Sequence, residues 1–373
     1  MGTSPPGEVG MPIEDVDTPA LLIDLDVFER NLRRMVDKVK GTSARLRPHA
    51  KAHKCPMIAL QQIALGAVGV CCQKVSEAEA MVYGGVRDVL VTNEVVGARK
   101  LKRLGSLARH AHMGICVDNA DNVLSLSEAA QSFGATIDVL VEIDVGANRC
   151  GVEPGAPARD LARKVDRAPG LRFAGLQAYQ GAAQHIRSYA ERRQAVSDAS
   201  EKAASTRDLL ERDGLPCENI TGAGTGTYSF EASSGVYTEL QAGSYIFMDV
   251  DYLRNLDEHG EPMREFEPGL FVYATVMSRP VPERAVVDAG LKALSVDSGL
   301  PSIRGREDLE YAVPSDEHGV LRVHRQDALQ IGDKIKLIPG HCDPTVNLYD
   351  WYVGVRHGRV ETLWPITARG ALL

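Results

Sequence analysis

The chain has 373 residues, 44% of them hydrophobic and 25% charged, proportions of an ordinary globular protein with room for two domains. Its net charge is −8 and it carries no polybasic run, which argues against a nucleic-acid or anionic-membrane partner. No apolar stretch approaches bilayer-spanning length.

In chain order, the leader "MGTSPPGEVGMPIEDVDTP" has neither a basic n-region nor an apolar h-region, so it reads as a flexible leader and not as a signal peptide. Gly2 sits where a myristoyl group would attach, but the prolines that follow speak for an ordinary leader. Seven cysteines without a CxxC pair, Cys71 and Cys72 being adjacent, read as reduced thiols of a cytoplasmic protein.

From Thr18 to about Ser244 short apolar runs alternate with amphipathic segments. The candidate strands are "ALLIDL", "LRPHAK", "GVCCQ", "DVLVTN", "MGICVD", "DVLVEID", "FAGLQAY" and "NITGAG"; helical patterns such as "PMIALQQIAL", "VSEAEAMVY", "ARKLKRLGSLARH" and "ADNVLSLSEAAQSF" lie between them. Continuous apolar strands each followed by a helix predict a parallel sheet buried on both faces. Eight such units predict an α/β fold of the (β/α)₈ TIM-barrel type. An open doubly wound sheet is the alternative, but no GxGxxG follows the first strand. Polar residues gather where the strands end: Lys51, Gln73, Asn93, Asp118, Asp144, Tyr179 and the glycines after Ile220. Barrel active sites are built at that rim.

After about Asp251 the pattern changes to short strands with Gly and Pro turns and no intervening helices: "GLFVYATVMSRPV", "RAVVDAGLK", "GVLRVH", "DKIKLIPGH", "WYVGVRHG" and "RVETLWPI". That is an antiparallel β domain. The expected division is a barrel over 18–250 and a β domain over 251–373.

Three segments carry residues suited to chemistry. "LRPHAKAHKCP" places Lys51 at the end of the second strand, where desolvation and neighbouring cations would lower its pKa and free the amine to form an imine. If the strand stays extended, His49, Lys51 and His53 share one side. Solvated rim lysines are the plainer reading of Lys51 and Lys54. The loop "TGAGTGTYSF" interleaves Gly222, Gly224 and Gly226 with Thr225 and Thr227 straight after a strand, so its amides can cradle a phosphate. No lysine follows these glycines, so it is not a nucleotide-hydrolysing loop. A lysine at an early strand end and a phosphate cradle at a late one suggest pyridoxal 5'-phosphate spanning the mouth. Arg149 and Tyr179, after the sixth and seventh strands, are placed to meet its ring; a surface ion pair and a core aromatic are their plainer readings. In "PGHCDPTVN", His341 and Asp343 on a strand end would project together, with Cys342 away. One nitrogen and one hard oxygen suit Mn²⁺ or Mg²⁺. The turn "SDEHGV" is a second acidic and histidine cluster, or a hairpin loop.

Taken together, "TPALLIDLDVFERN", "RPHAKAHK", "GVCCQKVSEAEA", "VEIDVGANRCGV", "LQAYQG", "GAGTGT", "VYTELQAGSY", "VVDAGLK", "DEHG" and "GHCDPT" resemble, in that order, the D-threonine aldolase and D-3-hydroxyaspartate aldolase family. These are fold-type III pyridoxal-phosphate enzymes akin to D-serine dehydratases and alanine racemases. The resemblance implies a barrel plus β domain, residues 1–17 joining the latter, in a homodimer. It implies that Lys51, not Lys54, is the Schiff-base lysine, that Arg149 faces the pyridine nitrogen, and that Gln73 and Tyr179 lie beside the ring. Gly224, Thr225, Gly226 and Tyr245 would surround the phosphate. His341 and Asp343 would bind the divalent cation, with His53 or a cation-bound hydroxide as base. In D-serine dehydratases a cysteine stands two residues after the histidine; here that residue is Asp343, which favours the aldolase branch. The implied reaction is retro-aldol cleavage of a D-3-hydroxy amino acid to glycine and an aldehyde. The rival reading is a D-serine or D-3-hydroxyaspartate dehydratase using the same parts. For a hydroxyaspartate substrate, His185 and Arg187 are the candidate cations for the second carboxylate.

Overall fold

The structure is a computed structural model that describes residues 4–325 and 329–373; Gly2 lies outside them. Strand β1 (Ala20–Asp24) leads into helix α1 (Leu25–Val39). Asp24 caps that helix, its carboxylate accepting the Val27 N–H at 3.1 Å. Leu25, Phe28, Leu32 and Met35 recur at helical spacing and are buried.

Eight parallel strands follow: β2 (Arg45–Leu46), β3 (Val70–Cys72), β4 (Asp88–Glu94), β5 (His112–Val117), β6 (Ile137–Glu142), β7 (Leu171–Gln177), β8 (Asn219–Gly222) and β9 (Glu239–Leu240). Their order is β2-β9-β8-β7-β6-β5-β4-β3, and a parallel bridge between His49 and Cys71 closes the ring. The crossover helices are α2 (Pro56–Ala64), α3 (Val75–Tyr83), α4 (Ala98–Leu107), α5 (Ala120–Ser132), α6 (Ala156–Arg167), α7 (Tyr189–Arg212) and the short α8 (Tyr228–Ser233). The four helical patterns read from sequence are α2 to α5. Side chains alternate across each strand, which separates the adjacent cysteines. Cys71 packs inside the barrel with Leu90, Cys116, Leu140 and Ala174, whereas Cys72 faces the helices. All seven cysteines are free thiols.

The lower mouth is closed by charge. Arg47 bonds both Glu239 and Asp88. His112 bridges Asp88 and Asp138 at 3.0 and 2.8 Å, and Arg172 joins Asp138 to Glu218.

Two strand expectations change. "ALLIDL" is not a barrel strand: β1 pairs antiparallel with β10 and parallel with β16 in the second sheet. Its residues are apolar because that sheet is buried on both faces there, so composition alone did not separate the two. The eighth barrel strand is β9 instead, only two residues long and flanked by Thr238 and Gln241. The leader is not loose over its described part. Gly10 donates to the Val360 carbonyl at 2.8 Å, and Ile13 and Val16 are buried with Leu22, Phe271 and Val353.

A short helix α9 (Val250–Leu253) links the barrel to β10 (Leu270–Val281), β11 (Arg284–Val287), β12 (Ser302–Ile303), β13 (Leu309–Pro314), β14 (Gly319–Val323), β15 (Lys334–Ile338), helix α10 (Cys342–Val346), β16 (Trp351–Arg356) and β17 (Arg359–Pro365). Among the described strands of this sheet every pairing but β1 with β16 is antiparallel. "SDEHGV" is the turn joining β13 to β14, where the Ser315 N–H donates to the His318 carbonyl at 2.8 Å. No described helix is long and apolar enough to cross a membrane.

Candidate active site

The upper mouth of the barrel meets the β domain at a cavity whose wall includes Lys51, Gln73, Arg149, Tyr179, Gly224, Thr225 and Asp343. Seven residues nominated from sequence thus come together from five barrel loops and one helix of the second domain.

The chain does not stay extended into Lys51. Ala50–Ala52 coil into a 3-10 turn, with the His53 and Lys54 N–H groups both donating to the Ala50 carbonyl. The turn directs Lys51 to the cavity and turns His53 into the core. His53, expected as the base, is fully buried, takes no part in the cavity wall, and spends Nδ1 on the Cys55 N–H at 3.1 Å. Burial, only partly offset by the bond to Cys55, leaves it neutral with its pKa down at about 4. The neighbouring histidine lines the cavity instead. His49 Nε2 lies 3.0 Å from both Gln73 Nε2 and Thr92 Oγ1, and burial, aided by Lys51, holds its pKa well below the usual value. Lys54 is not a rival amine, being buried in an ion pair with Glu77.

Lys51 Nζ lies 2.6 Å from Asp343 Oδ2. An anionic neighbour reverses the expectation of a lowered lysine pKa. Burial opposes the charge, but the Asp343 carboxylate outweighs it and Lys51 is raised. Asp343 is correspondingly held below the usual carboxylate range, its own burial being overcome by Lys51 and His341.

The glycine loop after β8 begins with Ala223 at φ 71°, a left-handed conformation that costs a non-glycine residue about 1–2 kcal/mol. Gly224 follows where a Cβ would meet Gln184 Oε1 at 2.4 Å, so a side chain there would displace that buried amide. Thr225 is 1% exposed, and its Oγ1 is a buried hydroxyl with no partner. Such an orphan normally marks an absent acceptor or donor, and an anion on this loop would supply it. Gly226 is not on the wall, since its N–H donates to Gln184 Oε1 at 3.0 Å. Nor is Tyr245: its ring packs against Phe266 and its hydroxyl accepts from Gln62 Nε2 at 3.1 Å. Ser244 lines the cavity in its place, because the 3-10 turn Ser244–Ile246 sends successive side chains in different directions.

Arg149 stands half-exposed at the edge, its guanidinium 5.6 Å from the Tyr179 ring centre. His341 and Asp343 do not sit on a strand end. They are the cap and second residue of α10. Cys342 between them is buried, its N–H bonded to Asp249 Oδ2 at 2.9 Å. His341 Nδ1 faces Asp297 Oδ2 at 2.8 Å, which leaves Nε2 as the nitrogen for a cation and supplies the outer carboxylate that ligating histidines commonly have. His185 and Arg187 do not offer a free cation to a substrate: Arg187 bonds the Asp251 carbonyl, the Asp251 carboxylate and Asn255 Oδ1, and His185 Nδ1 lies 2.7 Å from Asp251 Oδ2.

Sequence reading missed Thr92, Gln177, Gln241 and Tyr252 on the wall. Gln177 and Gln241 exchange amide bonds at 2.9 Å and share Thr221. A glutamine ending a barrel strand was their only signal.

A barrel with a lysine at an early strand end, a glycine loop opposite it and a β domain closing the mouth defines the fold-type III class of pyridoxal-phosphate enzymes. Residues 23–251 match the alanine racemase N-terminal domain family, and residues 269–355 match the putative serine dehydratase domain family. The chain is 52% identical to a D-threonine aldolase of an Arthrobacter species, covering 98% of this chain and 96% of that protein. It is 49% identical to a 3-hydroxy-D-aspartate aldolase of Paracoccus denitrificans, over 99% and 96%. The crystal structure of D-threonine aldolase from Filomicrobium marinum superposes with a TM-score of 0.96 at 54% identity, covering 99% of this chain and all of that one. The chain belongs to the D-threonine aldolase and D-3-hydroxyaspartate aldolase family.

Proposed function

We propose that this protein is an aldehyde-lyase that cleaves a D-3-hydroxy amino acid to glycine and an aldehyde. The observation that carries the reading is the geometry of one cavity: the Lys51 amine beside Asp343 at one end, the unpartnered Thr225 hydroxyl at the other, and Arg149 with Tyr179 along the edge.

In this reading Lys51 anchors pyridoxal phosphate through its amine, while Gly224 and Thr225 hold the phosphate. Bound there, the coenzyme supplies an electron sink for the pair of electrons left on Cα when the Cα–Cβ bond breaks. Arg149, permanently charged at the cavity edge, would meet the ring nitrogen and keep it unprotonated. Gln73 is fixed by His49 and Thr92 and supports the ring's other edge. His341 and Asp343 would hold a divalent cation, Mn²⁺ or Mg²⁺, which would supply Lewis acidity toward a β-hydroxyl. A carboxylate at 343 supports a hard ion, and with it the aldolase rather than the dehydratase. We further assign the working form to a cytoplasmic homodimer, with the barrel and β domain divided near Asp251 and β1 counted with the β domain.

The test is product analysis with D-threonine and D-3-hydroxyaspartate, each with Mn²⁺ and Mg²⁺. Glycine and an aldehyde are expected; a keto acid and ammonia would establish the dehydratase.

A further inference from the structure

Behind Arg149 lies a group of acids that the reaction as assigned does not use. Glu142 ends β6 with its side chain 6% exposed, and its Oε1 is 3.8 Å from an Arg149 Nη2. Glu94 ends β4, and its Oε1 is buried with no hydrogen-bond partner. Asp118 and Cys150 crowd the same spot: one ligand atom from each, with one from Glu94, all lie within 4.8 Å of one another. Cys116 adds a buried thiol whose pKa is pushed up by burial and then by Glu142 and Glu94. Arg149 is the cation of this group.

We propose that Glu142, backed by Glu94, is the positioning residue that seats Arg149 over Tyr179 at the edge of the coenzyme cavity. The inference rests on the assignment of Arg149 to the ring nitrogen. Two enclosed carboxylates at one place do not both ionise, and a proton on one carboxyl is the donor that the Glu94 oxygen otherwise lacks. Burial, then the charge and hydrogen bond of Glu94, lift Glu142 to about 8, with Arg149 pulling the other way and Asp118 adding to the rise. While the proton is present, the pair offers Arg149 a single negative charge, weak enough for the guanidinium to stay over Tyr179. When the proton leaves, the second charge draws Arg149 down toward Glu142 and away from the ring. Glu142 touches neither coenzyme nor substrate; it acts only through Arg149.

The visible spectrum of the pyridoxal-phosphate-loaded enzyme tests this between pH 6.5 and 9.5, alongside the coenzyme's dissociation constant. For the wild type, a band change with a midpoint near 8 is expected. Glu142→Gln, which keeps the shape of the protonated acid, should hold the low-pH spectrum across the range and bind coenzyme as the wild type does. Glu142→Ala should bind it about 10-fold more weakly; should that variant fail to fold, Glu94→Gln serves instead and should shift the midpoint downward. A Glu142→Gln enzyme whose spectrum titrates as the wild type does would overturn the proposal while leaving the coenzyme site intact. A wild type that takes up no coenzyme would overturn the proposal together with the reading beneath it.

Discussion

Lys51 of the barrel and Asp343 of the β domain form a direct ion pair, Nζ to Oδ2 at 2.6 Å, and this contact joins the two halves of the site. The amine proposed to attack a carbonyl, which must be neutral to do so, is held charged by Asp343, the carboxylate proposed as a cation ligand. In the proposed assignment, a divalent ion on His341 and Asp343 would compete for that carboxylate and so free Lys51. This pair therefore links the site across the domain boundary, beside other contacts such as the Cys342 N–H to Asp249 Oδ2.

Asp297, 2.8 Å from His341 Nδ1, is the outer partner of the proposed cation site. Asp297→Ala should weaken Mn²⁺ binding by about 10- to 100-fold while the coenzyme absorbance stays as in the wild type. Activity titrated against Mn²⁺ concentration checks this; an unchanged half-saturation point would remove Asp297 from the site.

Thr225 carries the buried hydroxyl that lacks a partner. Thr225→Val keeps the shape and deletes the donor, and the dissociation constant of pyridoxal phosphate should rise about 10-fold. Thr225→Ser should restore most of it. Equal affinity in both variants would separate this loop from the phosphate.

Arg187 is committed to Asp251 and Asn255. Arg187→Ala should lower kcat/KM for D-threonine and D-3-hydroxyaspartate by the same factor, and should cost roughly 3 kcal/mol of stability by stranding the buried Asp251. A loss of more than about 10-fold confined to the aspartate-derived substrate would make Arg187 a specificity residue after all.

At the lower mouth, hydrogen bonds to Asp138 and then Asp88 raise His112 to about 10. A raised folded-state pKa stabilises fully below the unfolded value near 6.5 and loses that contribution as pH climbs through the folded one. His112 is half-exposed, so its worth is roughly 1 kcal/mol. Denaturant unfolding should therefore show His112→Gln less stable than wild type at pH 6, with the gap closing toward pH 10. A gap that widens with pH would reverse the assigned sign.

Much of the barrel was legible because strand and helix periods alternate so regularly from Arg45 onward, and because polar residues end the strands. Lys51, Gln73, Arg149, Tyr179, Gly224 and Thr225 were found by that rule and by family resemblance. What stayed hidden depended on local coiling. Side chains around a turn cannot be assigned a direction until the turn type is known, which is why His53 was expected beside His49 and Lys51, and Tyr245 on the wall where Ser244 stands. The apolar run of β1 says only that it is buried, not in which sheet. Asp297 and Glu142 reach the site through His341 and Arg149, partners distant in sequence or screened by a loop, so no local pattern marks them.

The account stands on the Lys51 amine, and the absorbance of purified protein incubated with pyridoxal phosphate tests it most directly. Wild type and Lys54→Ala should both develop a band near 420 nm, and Lys51→Ala should develop none and should cleave no substrate. A coloured, active Lys51→Ala enzyme, or a wild type that remains colourless, would contradict it.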